Sequence, residues 1–157
     1  MTKIKTGLPA RIAGIGALLL ALAAPPVSSQ TQAQPRLQTV NLVAGMYNIQ
    51  AELAISPQEQ MTGMMFRREM AAHEGMLFVG DDPQQRCFWM RNTYLPLTAA
   101  FIADDGTIVN LADMQPRSDE SHCSAKPVRF VLEMNQGWFA KRGIKAGFKL
   151  RGAPFKE

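Results

Sequence analysis

The run LTAAFIADDGTIVNLADM, residues 97–114, predicts the fold class more clearly than any other part of the chain. It holds two apolar stretches, residues 97–103 and residues 107–114, on either side of Asp104-Asp105-Gly106. Asp-Gly favours a tight hairpin turn because both residues tolerate a positive φ. The run therefore predicts two antiparallel strands joined by a short turn.

Strand patterns continue on both sides of this hairpin. Residues 47–54 alternate apolar and polar side chains, the period of a half-buried strand. Residues 76–79 form a short apolar run that ends at the turn signal of residues 80–83. Further strands are predicted over residues 87–91, 128–134 and 144–150.

Two short helices are predicted between the strands. Ser56-Pro57-Gln58-Glu59 is typical of a capping box with proline at the first helical position, so a helix is expected over residues 57–66. A second short helix is expected to begin at residues 135–137 and to run through residue 142, with Gly143 just past its end. Short strands with hairpin connections favour a mostly β (α+β) class over repeated βαβ units. The expected architecture is a compact, coiled, barrel-like antiparallel sheet with two short helices.

The first 33 residues predict export. Lys3, Lys5 and Arg11 precede the apolar residues 12–24, and small and polar residues follow, as in a secretory signal peptide. A membrane anchor is the less favoured alternative, because a span needs about 20 apolar residues. We expect cleavage between residues 24 and 33, and a periplasmic or secreted product.

The rest of the chain is expected to hold one domain. Residues 34–39 are polar and predict a disordered leader, and residues 40–153 predict a single β-rich domain. The formal net charge of +4 falls to about +1 once Lys3, Lys5 and Arg11 are removed. A nearly neutral body is not typical of nucleic-acid binding. We therefore expect no nucleic-acid partner, and no stable membrane anchor after signal cleavage.

Cys87 and Cys123 are the only two cysteines. In an oxidising compartment two thiols without a competitor usually pair, which favours a structural disulfide. A bond that closes a loop of about 36 residues stabilises a domain by at most about 4 kcal/mol. Two alternatives remain open, a zinc site that adds His73 and His122, and a pair of free thiols.

Residues 87–93 form the best candidate for a site. On a strand, Cys87, Trp89 and Arg91 would share one face. If residues 128–134 form a neighbouring strand, Arg91 could pair with Glu133, either as a plain cross-strand ion pair or at the edge of a small-ligand pocket. The pocket interpretation assigns ligand contacts to Arg67, Trp89, Arg91, Asn92, Thr93 and Glu133, and it expects Arg67 or Arg91 to bind an anionic group of the ligand.

The remaining motifs favour binding over catalysis. No motif for a nucleotide, a dinucleotide or a catalytic metal is present, so no cofactor, metal or catalytic residue is assigned. The leading hypothesis is an exported binding or accessory module for a small ligand or a periplasmic protein. One alternative is a weak hydrolase-like or carbohydrate- or peptide-processing enzyme that uses Glu133 with Arg67 or Arg91. The other is Cu(I) binding by the methionine-rich residues 61–76, although methionine is also a common core filler.

Five blocks occur in an order that resembles a known family. The blocks are Met64-Met65-Phe66-Arg67, Gly75-Met76-Leu77-Phe78, Phe88-Trp89-Met90-Arg91-Asn92-Thr93, Val131-Leu132-Glu133-Met134 and Gly143-Ile144. This pattern is similar to the prokaryotic family called domain of unknown function 192, and it covers about residues 40–151. The resemblance implies a small, β-rich, barrel-like domain that is often exported, and it implies no reaction. Thr98 stands where the family often carries an acidic residue.

Overall fold

The computed structural model describes residues 31–156, which hold eight strands, one α-helix and one 3-10 turn. The elements are β1 (Thr39–Ala44), β2 (Tyr47–Ala54), α1 (Pro57–Thr62), β3 (Glu74–Gln84), β4 (Cys87–Phe88), β5 (Leu97–Ile102), β6 (Ile108–Met114), β7 (His122–Cys123), β8 (Val128–Asn135) and a 3-10 turn (Ala140–Arg142).

Six of the strands form one sheet in the order β1-β2-β3-β8-β5-β6, and β4 pairs with β7 in a separate ribbon. The mostly β class is confirmed. The expected antiparallel pairing needs one correction, because β2 and β3 are parallel. Parallel neighbours need a crossover connection, and α1 with the turns after it supplies this connection.

The sheet does not close into a barrel. Among the described residues, the outer strands β1 and β6 do not pair with each other, and the C-terminal segment reaches this edge region through the isolated bridges Val43–Arg151 and Thr107–Lys149 rather than through a strand. The predicted strand over residues 144–150 is therefore wrong as a regular element. The predicted hairpin is confirmed, since β5 pairs with β6 and the Thr107 amide donates to Asp105 Oδ1 at 3.0 Å.

The prediction of two short helices is not confirmed. Six residues form α1, which is shorter than the expected span of 57–66, and the second helix is a single 3-10 turn. Gly63, at the C-cap of α1, has a φ of +47°. The chain leaves the helix there, so Met64 and Met65 lie in a turn that faces the sheet.

Both faces of the sheet are buried, each under its own apolar cluster. Along β8, Phe130 and Leu132 belong to one cluster, while Val131 belongs to the other. Successive strand residues point to opposite faces. Glu133 therefore lies on the same face as Val131, within the second cluster's side of the sheet.

The segment before β1 is held against the domain, although residues 34–39 were expected to be disordered. The Gln34 amide donates to the carbonyl oxygens of Glu59 and Gly63 at 3.1 and 2.9 Å. Arg36 pairs with Glu52 at 2.7 Å. Leu37 also packs against the second apolar cluster, so polar contacts and one apolar side chain together hold the segment.

The interpretation of the N-terminus as a signal peptide concerns residues that lie almost wholly outside the described part of the chain, which begins at residue 31. Within residues 31–156, no helix has both the length and the apolar character that crossing a membrane requires.

Candidate functional site

A cleft of about 360 Å³ opens on the face of the sheet that carries Glu133. Residues 60–65 form one wall, and residues 85–89 form a second wall. Phe78, Thr93 and Glu133 also line it. We call it the Glu133 cleft.

The first wall is positioned by the N-terminus of α1. The Ser56 hydroxyl accepts from the Glu59 amide at 3.2 Å, and Glu59 Oε2 accepts from the Ser56 amide at 2.8 Å. This is the predicted capping box, and it is confirmed. At the other end of the helix, Gly63 lies against Phe78, where an added Cβ would come within 3.1 Å of the ring. The wall therefore packs directly on β3.

The second wall is held by the disulfide. Cys87 and Cys123 are bonded, as the sequence predicts, and they are register partners in the β4–β7 ribbon. Beside them, Ser124 and Arg86 exchange two hydrogen bonds: the Arg86 amide donates to Ser124 Oγ at 3.0 Å and the Ser124 amide donates to the Arg86 carbonyl at 2.8 Å. The zinc and free-thiol alternatives are excluded for these cysteines.

Glu133 is the buried carboxyl of the cleft. It is a register partner of Met76 on β3 and of Ala99 on β5, and only 4 % of its surface is exposed. Among the described residues, none donates a hydrogen bond to it. Burial raises its pKa to about 8. The group is therefore mainly protonated at neutral pH, and it can donate a hydrogen bond or take up a cation.

Arg67 lies elsewhere on the same face, where it binds Glu52. Its two terminal nitrogens reach the two Glu52 carboxylate oxygens at 2.6 and 2.7 Å. Burial acts to raise the pKa of Glu52, but hydrogen bonds from Arg67, the Leu37 amide and Arg36 outweigh it and lower this pKa to about 2. Arg67 is thus committed to a buried ion pair and does not line the Glu133 cleft.

Arg91 does not pair with Glu133 either. Its Nε donates to Asp119 Oδ1 at 2.8 Å on the surface, and its guanidinium lies 4.1 Å from the centre of the Trp89 ring. The expected pair fails because β4 ends at Phe88 and has β7 as its partner, so residue 91 is never brought beside β8.

The other candidate residues are divided between the cleft and its surroundings. Trp89, 45 % exposed, stands at the rim of the cleft, and Thr93 lines it. Asn92 has a φ of +59° and serves the turn, where its carbonyl accepts from the Phe66 amide at 2.8 Å. Three of the six predicted ligand contacts, Trp89, Thr93 and Glu133, therefore meet at one site.

Sequence reasoning missed several residues of the cleft. Phe78, Arg86 and Phe88 line it, and none of them was assigned to a site. Glu133, which was assigned, carried the clearest signal, because it is a charged residue inside the apolar residues 130–134 of β8. Such a residue has to be paired or functional, because burying an unpaired charge is costly.

The methionines mainly fill the core, as the favoured interpretation predicts. Met64 and Met76 are buried in the cluster on the cleft's side of the sheet, whereas Met61 is 68 % exposed. Over the described residues, no group of three or more His, Cys, Asp or Glu side chains is arranged to hold a metal ion. Cu(I) binding by thioethers stays a hypothesis.

Comparisons with known proteins agree on a family and a fold. Residues 39–152 match the family DUF192, described as "Uncharacterized ACR, COG1430". A crystal structure of a protein from Sinorhizobium meliloti, proposed to be a transcription regulator, is 39 % identical and covers 73 % of this chain and 92 % of its own, with a TM-score of 0.69.

A second crystal structure is that of a protein of unknown function from Novosphingobium aromaticivorans. It is 37 % identical and covers 83 % of this chain and 94 % of its own, with a TM-score of 0.71. Among curated proteins, none matches the chain.

Proposed function

The chain belongs to the DUF192 family, and we propose that it acts as an exported, single-domain binding module whose small ligand lies in the Glu133 cleft. The observation that supports this most is a buried carboxyl group, without a hydrogen-bond partner among the described residues, that lines an open cleft. A concave site with apolar walls and a few polar groups is the usual form of a small-molecule site.

The cleft is better suited to binding than to acid–base catalysis. Glu133 is the one carboxyl group among the described residues that line it. An acid–base pair needs a second titratable group within reach of the same substrate. Arg67 and Arg91, the proposed partners in the enzymatic alternative, are held by Glu52 and Asp119.

The role suggested for the Sinorhizobium relative does not fit this chain as well. A transcription regulator binds DNA, and attraction to phosphates depends on a positive surface. Beyond the first 33 residues, the chain carries a net charge of only about +1. Export, which the N-terminal sequence favours, would also separate the protein from DNA.

A ligand screen by thermal unfolding tests the binding proposal. The full chain would be expressed with its own N-terminus and purified from the compartment where it accumulates. We expect at least one class among sugars, peptides, lipids and amines to raise Tm, and we expect Trp89→Ala to abolish that rise.

A matched control separates the cleft from other surfaces. Met61→Ala removes an exposed methionine at the cleft, and Met46→Ala removes an exposed methionine elsewhere. Only the first change should weaken the ligand effect. A screen without any stabilising compound, or a response that persists in Trp89→Ala, contradicts the proposal. Cell fractionation tests export, and an uncleaved cytoplasmic product contradicts that part.

A further inference from the structure

We propose that the Glu133 cleft takes a ligand with a protonated amine on a compact apolar body, and that the ammonium group pairs with the Glu133 carboxylate. This inference rests on the proposed function of the cleft and names the chemical class of its ligand. It is argued from charge balance, from the position of the nearest cation and from the walls.

The charge balance of the cleft lacks a cation beside Glu133. A comparable carboxyl group on the same face, Glu52, is joined by the guanidinium groups of Arg36 and Arg67. Glu133 has no equivalent among the described residues. An ion pair in a buried site is favourable when geometry and hydrogen bonds are good, and a ligand ammonium group would supply the missing partner.

Of the described residues that line the cleft, Arg86 is the one cation, and its hydrogen bonds hold it away from Glu133. Its Nε donates to the Val128 carbonyl at 3.3 Å and its Nη2 donates to the Asp82 carbonyl at 3.0 Å. Val128 lies five residues before Glu133 on β8, a separation of roughly 16 Å at the usual strand rise. Arg86 therefore leaves the carboxyl end of the cleft open to a cation.

The walls favour an apolar body next to the ammonium group. Phe78, Phe88 and Trp89 line the cleft together with the methionines at 61, 64 and 65. Aromatic faces attract cations as well as apolar groups, and thioethers adapt to ligands of different shape. A volume of about 360 Å³ is at the lower end of the range for small-molecule sites, which points to a small ligand.

Binding of such a ligand is coupled to release of a proton. The free carboxyl group is mainly protonated near neutral pH because burial raises its pKa. An ammonium ligand stabilises the carboxylate, so the carboxyl proton passes to solvent while the amine keeps its own. Among the described residues, the charged groups on this face besides Arg86 include Glu52 and Glu74, both paired with Arg36, and Arg67, which pairs with Glu52; they lie beyond Met76. Affinity for an amine should therefore increase as pH rises toward about 8.

Three probes with one apolar body test the inference: 2-phenylethylamine, 2-phenylethanol and 3-phenylpropanoate. Each would be titrated into the purified protein with methyl-labelled methionine, and the methyl signals of Met61, Met64 and Met65 would report on the cleft. Met46 and Met134 serve as controls, since neither lines it. We expect the amine to bind at least about tenfold more tightly than the alcohol, and the carboxylate to bind most weakly.

Calorimetry in two buffers with different ionisation enthalpies measures the proton count on the unaltered protein. We expect close to one proton to be released for each amine bound near neutral pH, and none for the alcohol. In Glu133→Gln, the ratio of amine affinity to alcohol affinity should fall to about one, because the carboxylate that pairs with the ammonium group is gone.

The outcomes separate the two proposals. The amine inference is overturned if the alcohol or the carboxylate shifts the three cleft methyl signals with an affinity equal to that of the amine. The proposal that the protein is a binding module would still stand. Amine binding without proton release also overturns the inference. If none of the probes shifts these methyls, the inference is wrong, and the broader thermal screen decides the proposed function on its own.

Discussion

Two buried glutamates on one face of the sheet differ in their partners, and this difference defines the candidate site. Glu52 and Glu133 are both register partners of Met76, one on each side of it. Two guanidinium groups and a backbone amide hold Glu52 ionised, with a pKa of about 2. Glu133 has no such partner among the described residues, and burial raises its pKa to about 8. At the residue scale, we therefore propose Glu133 rather than Glu52 as the binding group of the cleft.

The first prediction concerns the pH dependence of stability. In the folded protein, Glu133 keeps its proton up to about pH 8, whereas in the unfolded chain it loses it near 4.5. The folded state thus binds more protons between these values, and wild-type stability falls by about 1.4 kcal/mol per pH unit from this group. We expect Glu133→Gln to gain stability relative to wild type as pH rises through this window.

Urea unfolding of both proteins at several pH values measures the difference. Glu69→Gln, a change at an exposed glutamate, is the matched control and should follow the wild-type curve. A constant difference between Glu133→Gln and wild type across the window would show that Glu133 titrates normally.

The ribbon of β4 and β7 is a short element outside the main sheet, and it carries one wall of the cleft. Each strand has two residues, and their pairing is limited to Cys87 with Cys123 and Phe88 with His122. A two-stranded ribbon is marginally stable by itself. The disulfide and the edge-to-face contact of Phe88 with Phe78, at 4.7 Å between ring centres, keep it in place.

The second prediction is made at this scale. Replacing both cysteines, Cys87→Ser with Cys123→Ser, should lower the free energy of unfolding by up to about 4 kcal/mol, because the unfolded chain is no longer constrained. The amine probe should also bind more weakly, because the wall that carries Phe88 and Trp89 loses its covalent tie.

Chemical denaturation and the probe titration measure the two effects. A reducing agent should give the wild type the same loss and leave the double variant unchanged. Unchanged stability in the double variant would show that the ribbon is held by packing alone.

At the scale of the whole molecule, the segment before β1 joins elements that are distant along the chain. Gln34 bonds to the end of α1, and Arg36 reaches both Glu52 on β2 and Glu74 on β3. The Leu37 amide donates to Glu52 Oε2 at 2.8 Å. The parallel pair β2–β3 and its crossover helix are thus tied by one short segment.

The third prediction compares two chain starts. A protein that begins at Gln34, as cleavage after Ala33 would leave it, keeps all of these contacts. One that begins at Gln38 loses the Arg36 ion pairs and the amide bond to Glu52. We expect a loss of about 1–3 kcal/mol in the free energy of unfolding, since the partners include a charged, buried carboxylate.

Urea unfolding of the two proteins measures this loss. Arg36→Met in the longer protein removes only the guanidinium and should give a smaller effect, because Arg67 still pairs with Glu52. An equal free energy of unfolding for the two proteins would mean that residues 34–37 do not stabilise the fold. The predicted disorder would then be the better description of this segment.

Local patterns predicted the features that depend on neighbouring residues. The Asp105-Gly106 hairpin and the capping box at Ser56 follow from turn and cap chemistry, which involves only a few consecutive residues. The ordered blocks of sequence also identified the family correctly. For Arg91, the same kind of reasoning failed, because a strand pattern does not say which strand will be its neighbour.

From the sequence alone came the mostly β class, the family and the pairing of the only two cysteines, because composition, local propensity and spacing decide these properties. Tertiary structure alone decided that β2 and β3 run parallel and that Arg67 neutralises Glu52. It also decided that Glu133 lines a cleft with no ion-pair partner in the described part of the chain. Each of these features depends on which distant segments lie on the same face of the sheet. The register between neighbouring strands determines this, and local sequence patterns do not reveal it.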